Sequence, residues 1–336
     1  MDYLHEILDI LFIEHNQPTV LAQIVNVDGS SYRKEGAWML LEEDGSKIGV
    51  ISGGCLENDL KYRASELFST GRVEIVRYDL SSEDDLGWGV GAGCNGVVSV
   101  LLRDIDDGFR HSLISLKEQL NKMEPVLYIQ SLIHFEQYAF STKTNYFFGH
   151  FPFEIPKVFI EKLHTTPLLS HYAELKSFKN EPFFLQIIWP KPNLYIIGAG
   201  EDVRPFAHLA SNTGYSVHIL DWREAYCTRN YYPFAQSLRI GEPDYLLKGI
   251  PLSNLDSVVI MTHDFQRDRK VLEHLKELQL FYIGILGSKK RTERLMGGKI
   301  PDWLHSPVGL KIGAEGPKEI SISIMAELIQ SRRRKL

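Results

Sequence analysis

Cysteine is scarce in this chain. Only Cys55, Cys94 and Cys227 occur in 336 residues, too few for a disulfide framework and in keeping with a reducing, cytoplasmic setting. Long apolar runs are missing too. None reaches the ~18 residues a membrane span needs, and the first residues lack the basic-then-apolar order of a signal peptide. Nor is there an excess of positive charge: the net charge is −6, with both signs mixed along the chain, which argues against a nucleic-acid surface. No convincing repeat or low-complexity segment occurs. What remains is 44% hydrophobic, enough at this length for two cores. The expectation is a soluble two-domain protein.

One further absence lies inside the most informative stretch, Asn193 to Pro205. Leu194 to Ile197 reads as a buried strand. Gly198-Ala199-Gly200 turns the chain, and Phe206, Leu209 and Ala210 place a helix start close to Val203. Such a turn aims free amides and a helix N-terminus at an anion. The next strand, Tyr215 to Leu220, ends at Asp221, 21 residues after Gly200, where a dinucleotide fold holds a ribose hydroxyl. The third glycine of G-x-G-x-x-G is replaced by Val203, so helix and strand must pack more loosely there or at a different angle. These features predict a Rossmann-like fold and make NAD(P) or another nucleotide a candidate ligand.

From the start of the chain, Leu4, Ile7, Leu8, Leu11 and Phe12 form a helical stripe ending before Pro18. Strands are expected over Thr19 to Val27, Trp38 to Leu41 and Lys47 to Ile51, with Asp44-Gly45 as a hairpin turn. The last strand runs into Ser52-Gly53-Gly54-Cys55, followed by a helix striped with Leu56, Leu60, Ala64, Leu67 and Phe68. Cys55 thus sits beside a helix N-terminus, which can lower a thiol pKa; a small core residue is the alternative reading. Residues 87–96 hold five glycines, including Gly93, around Cys94. Such a loop lets a bulky or anionic ligand approach the main chain; a flexible surface loop is the alternative. If both cysteines serve one ligand, they must converge on a common cleft.

Leu113, Leu116 and Leu120 suggest a helix; Val126 to Ile133, Gln137 to Ser141, Tyr146 to His150 and Pro182 to Trp189 suggest strands. Val158 to Leu163 reads as a short helix. The fold class expected is an N-terminal α+β domain over residues 1–190 and a C-terminal α/β, Rossmann-like parallel sheet over 191–336, with Pro190-Lys191-Pro192 as the hinge. Two further strands, Ser257 to Met261 and Tyr282 to Leu286, end in Thr262-His263-Asp264 and Gly287-Ser288-Lys289-Lys290-Arg291. Ligands of open α/β sheets bind at such strand ends. His263 and Asp264 are therefore candidate catalytic residues, facing the same crevice as Gly198 to Gly200. Ser288 reads as an N-cap followed by three cations, a pattern that a bound phosphate or carboxylate would relieve. Pro317 is placed to open a last helix.

At these residues the chain resembles the xanthine dehydrogenase accessory factors (XdhC/CoxI). In the first domain the resemblance rests on Gly29-Ser30-Ser31-Tyr32-Arg33 with Gly36-Ala37, on Ser52-Gly53-Gly54-Cys55-Leu56-Glu57 and on the Gly91 to Gly96 loop. In the second it rests on Gly198-Ala199-Gly200 with Arg204-Pro205, Thr262-His263-Asp264, Gly284-Ile285-Leu286-Gly287-Ser288 and Pro307-Val308-Gly309-Leu310. Glu201 and Asn95 stand where family members commonly carry His and Gly. The resemblance implies a protein that binds molybdenum cofactor (molybdopterin), holds it while a cysteine desulfurase supports exchange of a terminal oxo for sulfido, and passes it to apo-xanthine dehydrogenase. Such a cargo needs soft ligands near the metal and amides or cations for its phosphate. Cys55 and Cys94 are the expected metal or sulfur contacts. Gly53, Gly54, Gly93 and Arg33, with Gly198, Gly200, Asp221, Ser288 and Lys289, are the other expected cofactor contacts. A homodimer is the expected assembly. Two rival readings are a nicotinamide-dependent oxidoreductase with His263 as acid or base, and a docking protein with a vestigial nucleotide fold.

Overall fold

The computed structural model describes residues 3–13, 17–80, 96–144, 146–152 and 154–333. Two compact units divide the chain: Met1–Thr166 with His171–Pro190, and Pro167–Ser170 with Lys191–Leu336.

The first unit runs α1 (Leu4–Phe12), β1 (Thr19–Gly29), β2 (Trp38–Glu42), β3 (Lys47–Gly49), α2 (Glu57–Ser65), β4 (Val73–Asp79) and β5 (Gly96–Asp104). It continues with α3 (Asp107–Asn121), β6 (Val126–Ser131), β7 (Tyr138–Thr142), β8 (Phe147–His150), α4 (Lys157–Thr165), β9 (Ala173–Phe178) and β10 (Glu181–Ile188). The strands form two antiparallel sheets, ordered β3-β2-β1-β5-β4 and β8-β7-β6-β10-β9. Strand β1 is buried on both faces because its alternating side chains feed two cores. Leu21 and Val25 join α1, α3 and residues of the second sheet, including Tyr128, Phe140 and Phe184. Val20, Ala22 and Ile24 join Leu60 and Ala64 of α2. Gln23, on the first of these faces, is wholly buried and donates to Gln186 Oε1 at 2.8 Å, which also accepts from the Trp38 indole at 3.0 Å. This polar bridge ties the two sheets together. Phe12, placed on the α1 stripe by its spacing, is instead 49% exposed.

The second unit runs β11 (Asn193–Ile197), α5 (Val203–Asn212), β12 (Ser216–Asp221), β13 (Ser237–Ile240), α6 (Pro243–Leu246), β14 (Ser257–Ile260), α7 (Phe265–Leu275), β15 (Tyr282–Ile285), α8 (Lys289–Met296) and α9 (Gly316–Arg333). Its sheet is wholly parallel, in the order β13-β12-β11-β14-β15. Parallel strands require crossovers, and these cover both faces with helices. Leu194, Ile196, Val217 and Val259 pack with α5 and α9; Ile197, Leu220, Val258 and Ile285 pack with α6, α7 and α8. Strand order reverses between β11 and β14, the point where ligands bind in such sheets. The C-terminal half is thus the Rossmann-like α/β unit expected, and the N-terminal half is α+β.

Candidate functional site

In the first unit the chain leaves β3 through buried Ile51 and Ser52, then exposes Gly53 and Gly54. Gly54 has φ +116, which favours glycine, and neither glycine would bring a Cβ within 4 Å of another group. The turn is held by Ser52. Its Oγ accepts from the Gly54 amide at 3.2 Å and the Leu56 amide at 3.0 Å, and its hydroxyl donates to Glu57 Oε2. Its own amide donates to Glu57 Oε1 at 2.9 Å. Glu57 is 4% exposed. Burial alone would raise its pKa, but the Ser52 hydroxyl and amide donors outweigh it and hold the carboxyl below the usual range. Glu57 also lies in the first turn of α2, where negative charge suits the helix dipole.

This clamp presents Cys55, a half-buried free thiol resting against the α2-side core beside two open glycines. Gly53, Gly54 and Cys55 are thereby brought together on one turn. Arg33 is half-buried, with its guanidinium 5.9 Å from the centre of the Tyr3 ring, and its carbonyl accepts from Ser31 Oγ at 2.7 Å. Cys94 and Gly93 lie outside the described residues. Among the described residues, no group of three or more His, Cys, Asp or Glu side chains is arranged to hold a metal ion.

In the second unit Gly198 and Gly200 sit between β11 and α5. Gly198 has φ +123, and a Cβ there would lie 2.4 Å from the Met261 carbonyl oxygen at the end of β14. The glycine therefore permits the close approach of loop to strand. Asp221 ends β12, fully buried. Its carboxylate accepts from the Ala199 amide at 2.6 Å, the Arg223 amide at 2.7 Å, and Arg223 Nε and Nη2 at 3.0 and 2.8 Å. Both oxygens are thus occupied from within the chain. A ribose hydroxyl approaching Asp221 would have to displace the Arg223 guanidinium, which also lies over Trp222 and Tyr226. Tyr232, wholly buried, donates to the Gly200 carbonyl at 3.3 Å, and Arg204 of α5 covers the Tyr231 ring at 3.6 Å.

His263 does share the edge with the glycine turn: its Nε2 lies 2.7 Å from Asp202 Oδ2. It is 62% exposed and held at φ +58, in the left-handed region. Asp264 caps α7, accepting from the Arg267 amide at 2.9 Å, and pairs with the Arg267 guanidinium at 2.9 Å. Those contacts with Arg267 outweigh the small effect of burial and depress its pKa. Ser288 caps α8, as its position suggests, by accepting from the Arg291 amide. Arg291 reaches Asp268, 1% exposed, at 2.6 Å. That pair answers one of the three cations crowding the first turn of α8; Lys289 and Lys290 remain exposed.

Sequence reasoning overlooked the partners that hold these residues: Ser52 and Glu57 as a clamp, Asp202 against His263, and Arg223 on Asp221. The available signals were a carboxylate five residues after a serine just beyond β3, and an Asp-x-Arg order whose Asp ends β12.

Residues 12–79 match the XdhC and CoxI family, and residues 194–328 match the XdhC Rossmann domain. The chain is 41% identical to a probable xanthine dehydrogenase subunit of Bacillus subtilis (strain 168), covering 99% of both proteins. It is 25% identical to the molybdenum cofactor insertion chaperone PaoD of Escherichia coli (strain K12), covering 93% of this chain and 83% of PaoD. A crystal structure described as a xanthine dehydrogenase from Bacillus halodurans superposes with a TM-score of 0.87 at 42% identity, over 98% of this chain and 95% of the other. With likeness running nearly end to end in both sequence and fold, this chain belongs to the XdhC and CoxI family.

Proposed function

We propose that this protein is an accessory factor of molybdoenzyme maturation. It binds molybdenum cofactor, supports its sulfuration together with a cysteine desulfurase, and delivers it to apo-xanthine dehydrogenase or a related molybdenum hydroxylase. The observation that carries this reading is the similarity to PaoD, which spans both units instead of the Rossmann unit alone. A generic nucleotide-binding relative would match only the second unit.

The residues fit such a cargo. A soft thiol beside two sterically open glycines suits a phosphate-bearing dithiolene complex, whose metal takes sulfur ligands and whose phosphate takes amides or a cation. In this proposal Cys55 and Cys94 contact metal or sulfur, and Gly53, Gly54, Gly93 and Arg33 hold the organic part. Gly198, Gly200, Ser288 and Lys289 bound a second region able to take a phosphate or nucleotide. The protein acts as a cytoplasmic homodimer that carries its cargo and does not itself turn it over. Residues 1–190 and 191–336 are its working domains.

Protein isolated from a molybdenum-competent host tests the proposal. Cofactor absorbance together with transfer of activity to apo-xanthine dehydrogenase is the expected outcome. Steady turnover of a nicotinamide cofactor with a small substrate, without bound molybdenum, would replace the proposal with the oxidoreductase reading.

A further inference from the structure

A second cluster of reactive side chains lies on one face of the parallel sheet, from the first residues of β11 and β13 to the middle of β11 and β12. Tyr195, His218 and Ser237 occupy one register row across β11, β12 and β13. His218 Nδ1 lies 2.7 Å from Ser237 Oγ, and His218 Nε2 lies 3.3 Å from Asn193 Oδ1. Asn193 Nδ2 donates to Asp256 Oδ1 at 2.8 Å. Asp256, 1% exposed, precedes β14 and also accepts from the Ser253 amide and hydroxyl through Oδ2. The relay therefore crosses four neighbouring strands in the order Asp256, Asn193, His218, Ser237.

The chemistry of the donors sets the tautomer. The Asn193 amide group donates to Asp256, so the Asn193 oxygen faces His218 and accepts from it. Nε2 of His218 then carries the proton, and Nδ1 keeps a lone pair for the Ser237 hydroxyl. Burial lowers the His218 pKa, partly opposed by Asp256, which favours the neutral ring. Tyr195 stacks on the imidazole at 4.5 Å and fixes its plane. The relay ends at an exposed serine on the edge strand. Beside it is a shallow, open recess of about 230 Å³ lined by Tyr195, His218, Ser237, Arg239 and Gly249. That is smaller than the roughly 300 Å³ at which pockets take drug-sized ligands.

We propose that this recess is a separate acyl-transfer site, in which Ser237 is a nucleophile toward small carboxylic esters and His218 is its base. Ser237 Oγ bonds to the ester carbonyl carbon while its proton passes to His218 Nδ1 and the carbonyl π pair moves onto oxygen. Arg239, the next residue on the same face of β13, lines the same recess and donates from Nη2 to the Lys248 carbonyl at 2.6 Å; in this proposal its guanidinium is the positive charge for that oxyanion. The intermediate collapses with loss of the alcohol, which takes the proton back from Nδ1 and leaves acyl-Ser237. Water then repeats the sequence and releases the acid. Asn193 and Asp256 are positioning residues that hold the imidazole in the reactive tautomer.

The test uses the full chain and a small dialkyl fluorophosphate, with labelling followed by intact mass and peptide mapping. One adduct at Ser237 is expected, abolished in Ser237→Ala and slowed about a hundredfold in His218→Gln. A 4-nitrophenyl acetate assay should lose its turnover in the same two variants. Absence of labelling, labelling elsewhere, or an unchanged Ser237 rate in His218→Gln would each overturn the proposal. Should His218→Gln fail to fold, Ser237→Cys on the exposed edge strand decides. Its thiol should react with iodoacetamide at neutral pH faster than free cysteine does, and an equal or slower rate refutes activation by His218.

Discussion

Replacing Glu57 with Gln is the sharpest probe of the turn that presents Cys55. The carboxylate accepts two donors from Ser52, whose hydroxyl oxygen already accepts from the Gly54 and Leu56 amides. A glutamine amide has only one acceptor atom. Its NH2 group must therefore confront either the Ser52 amide, another donor, or an oxygen whose lone pairs are taken. Hydrogen bonds to charged groups contribute about 1.5–3 kcal/mol each, so losing one and weakening the other should cost about 2–3 kcal/mol. For a unit of this size that corresponds to a fall in Tm of about 4–12 °C. Calorimetry reads the global effect. Hydrogen exchange at Gly54 and Leu56, with peptide-mapped alkylation of Cys55, reads the local one. An E57Q protein that melts within about 1 °C of wild type with unchanged exchange would refute the clamp.

Three further outcomes follow from the same contacts. Gly198→Ala should destabilise the second unit by about 3 kcal/mol or more, through overlap with the Met261 carbonyl and a φ that alanine rarely adopts; urea titration of the variant checks it, and a loss under 1 kcal/mol would contradict it. Arg223→Ala leaves the buried Asp221 carboxylate with backbone donors only. Its cost should be about 1–3 kcal/mol, less than for a wholly buried partner because the Arg223 side chain is 34% exposed, and chemical denaturation measures it. Burial would raise the Glu327 pKa, but the Glu327 carboxylate accepts from His305 at 2.9 Å and from Tyr282 and Gly309 at 2.6 Å, and these donors lower it overall. The folded chain therefore binds fewer protons here than the unfolded one. The stability this supplies is complete above about pH 4.5 and is lost as pH falls through the depressed folded value. Wild type and Glu327→Gln should accordingly converge in stability on acidification, and a gap that widens below pH 4.5 would be inconsistent.

Much of the second unit was legible because several of its strands hold fully buried, largely β-branched runs, as in Leu194–Ile197 and Ser257–Ile260, and because glycine or a helix cap follows β11, β14 and β15. The Ser288 cap and the shared edge of His263 and Gly198 followed from that punctuation. Strand β13 was not legible: its exposed-to-intermediate pattern at the sheet edge carries neither an apolar run nor clean alternation. Strand β9 and the mostly half-buried start of β4 escaped for the same reason. In the site itself, residue types were readable but their occupancy was not. Asp221 stands where a ribose contact would, yet an arginine two residues away fills its carboxylate. Asp264 has the polarity of a catalytic residue and works as a helix cap. Such pairings depend on side-chain reach across a turn, which linear spacing only hints at.

The most direct measurement of the central proposal is molybdenum and molybdopterin content per chain after purification from a molybdenum-competent host, wild type beside Cys55→Ala. Cofactor is expected in the wild type, with a loss of about tenfold or more in the variant and a Tm within a few degrees, since the thiol is only half-buried. Equal cofactor content in both proteins, or none in the wild type, would contradict it.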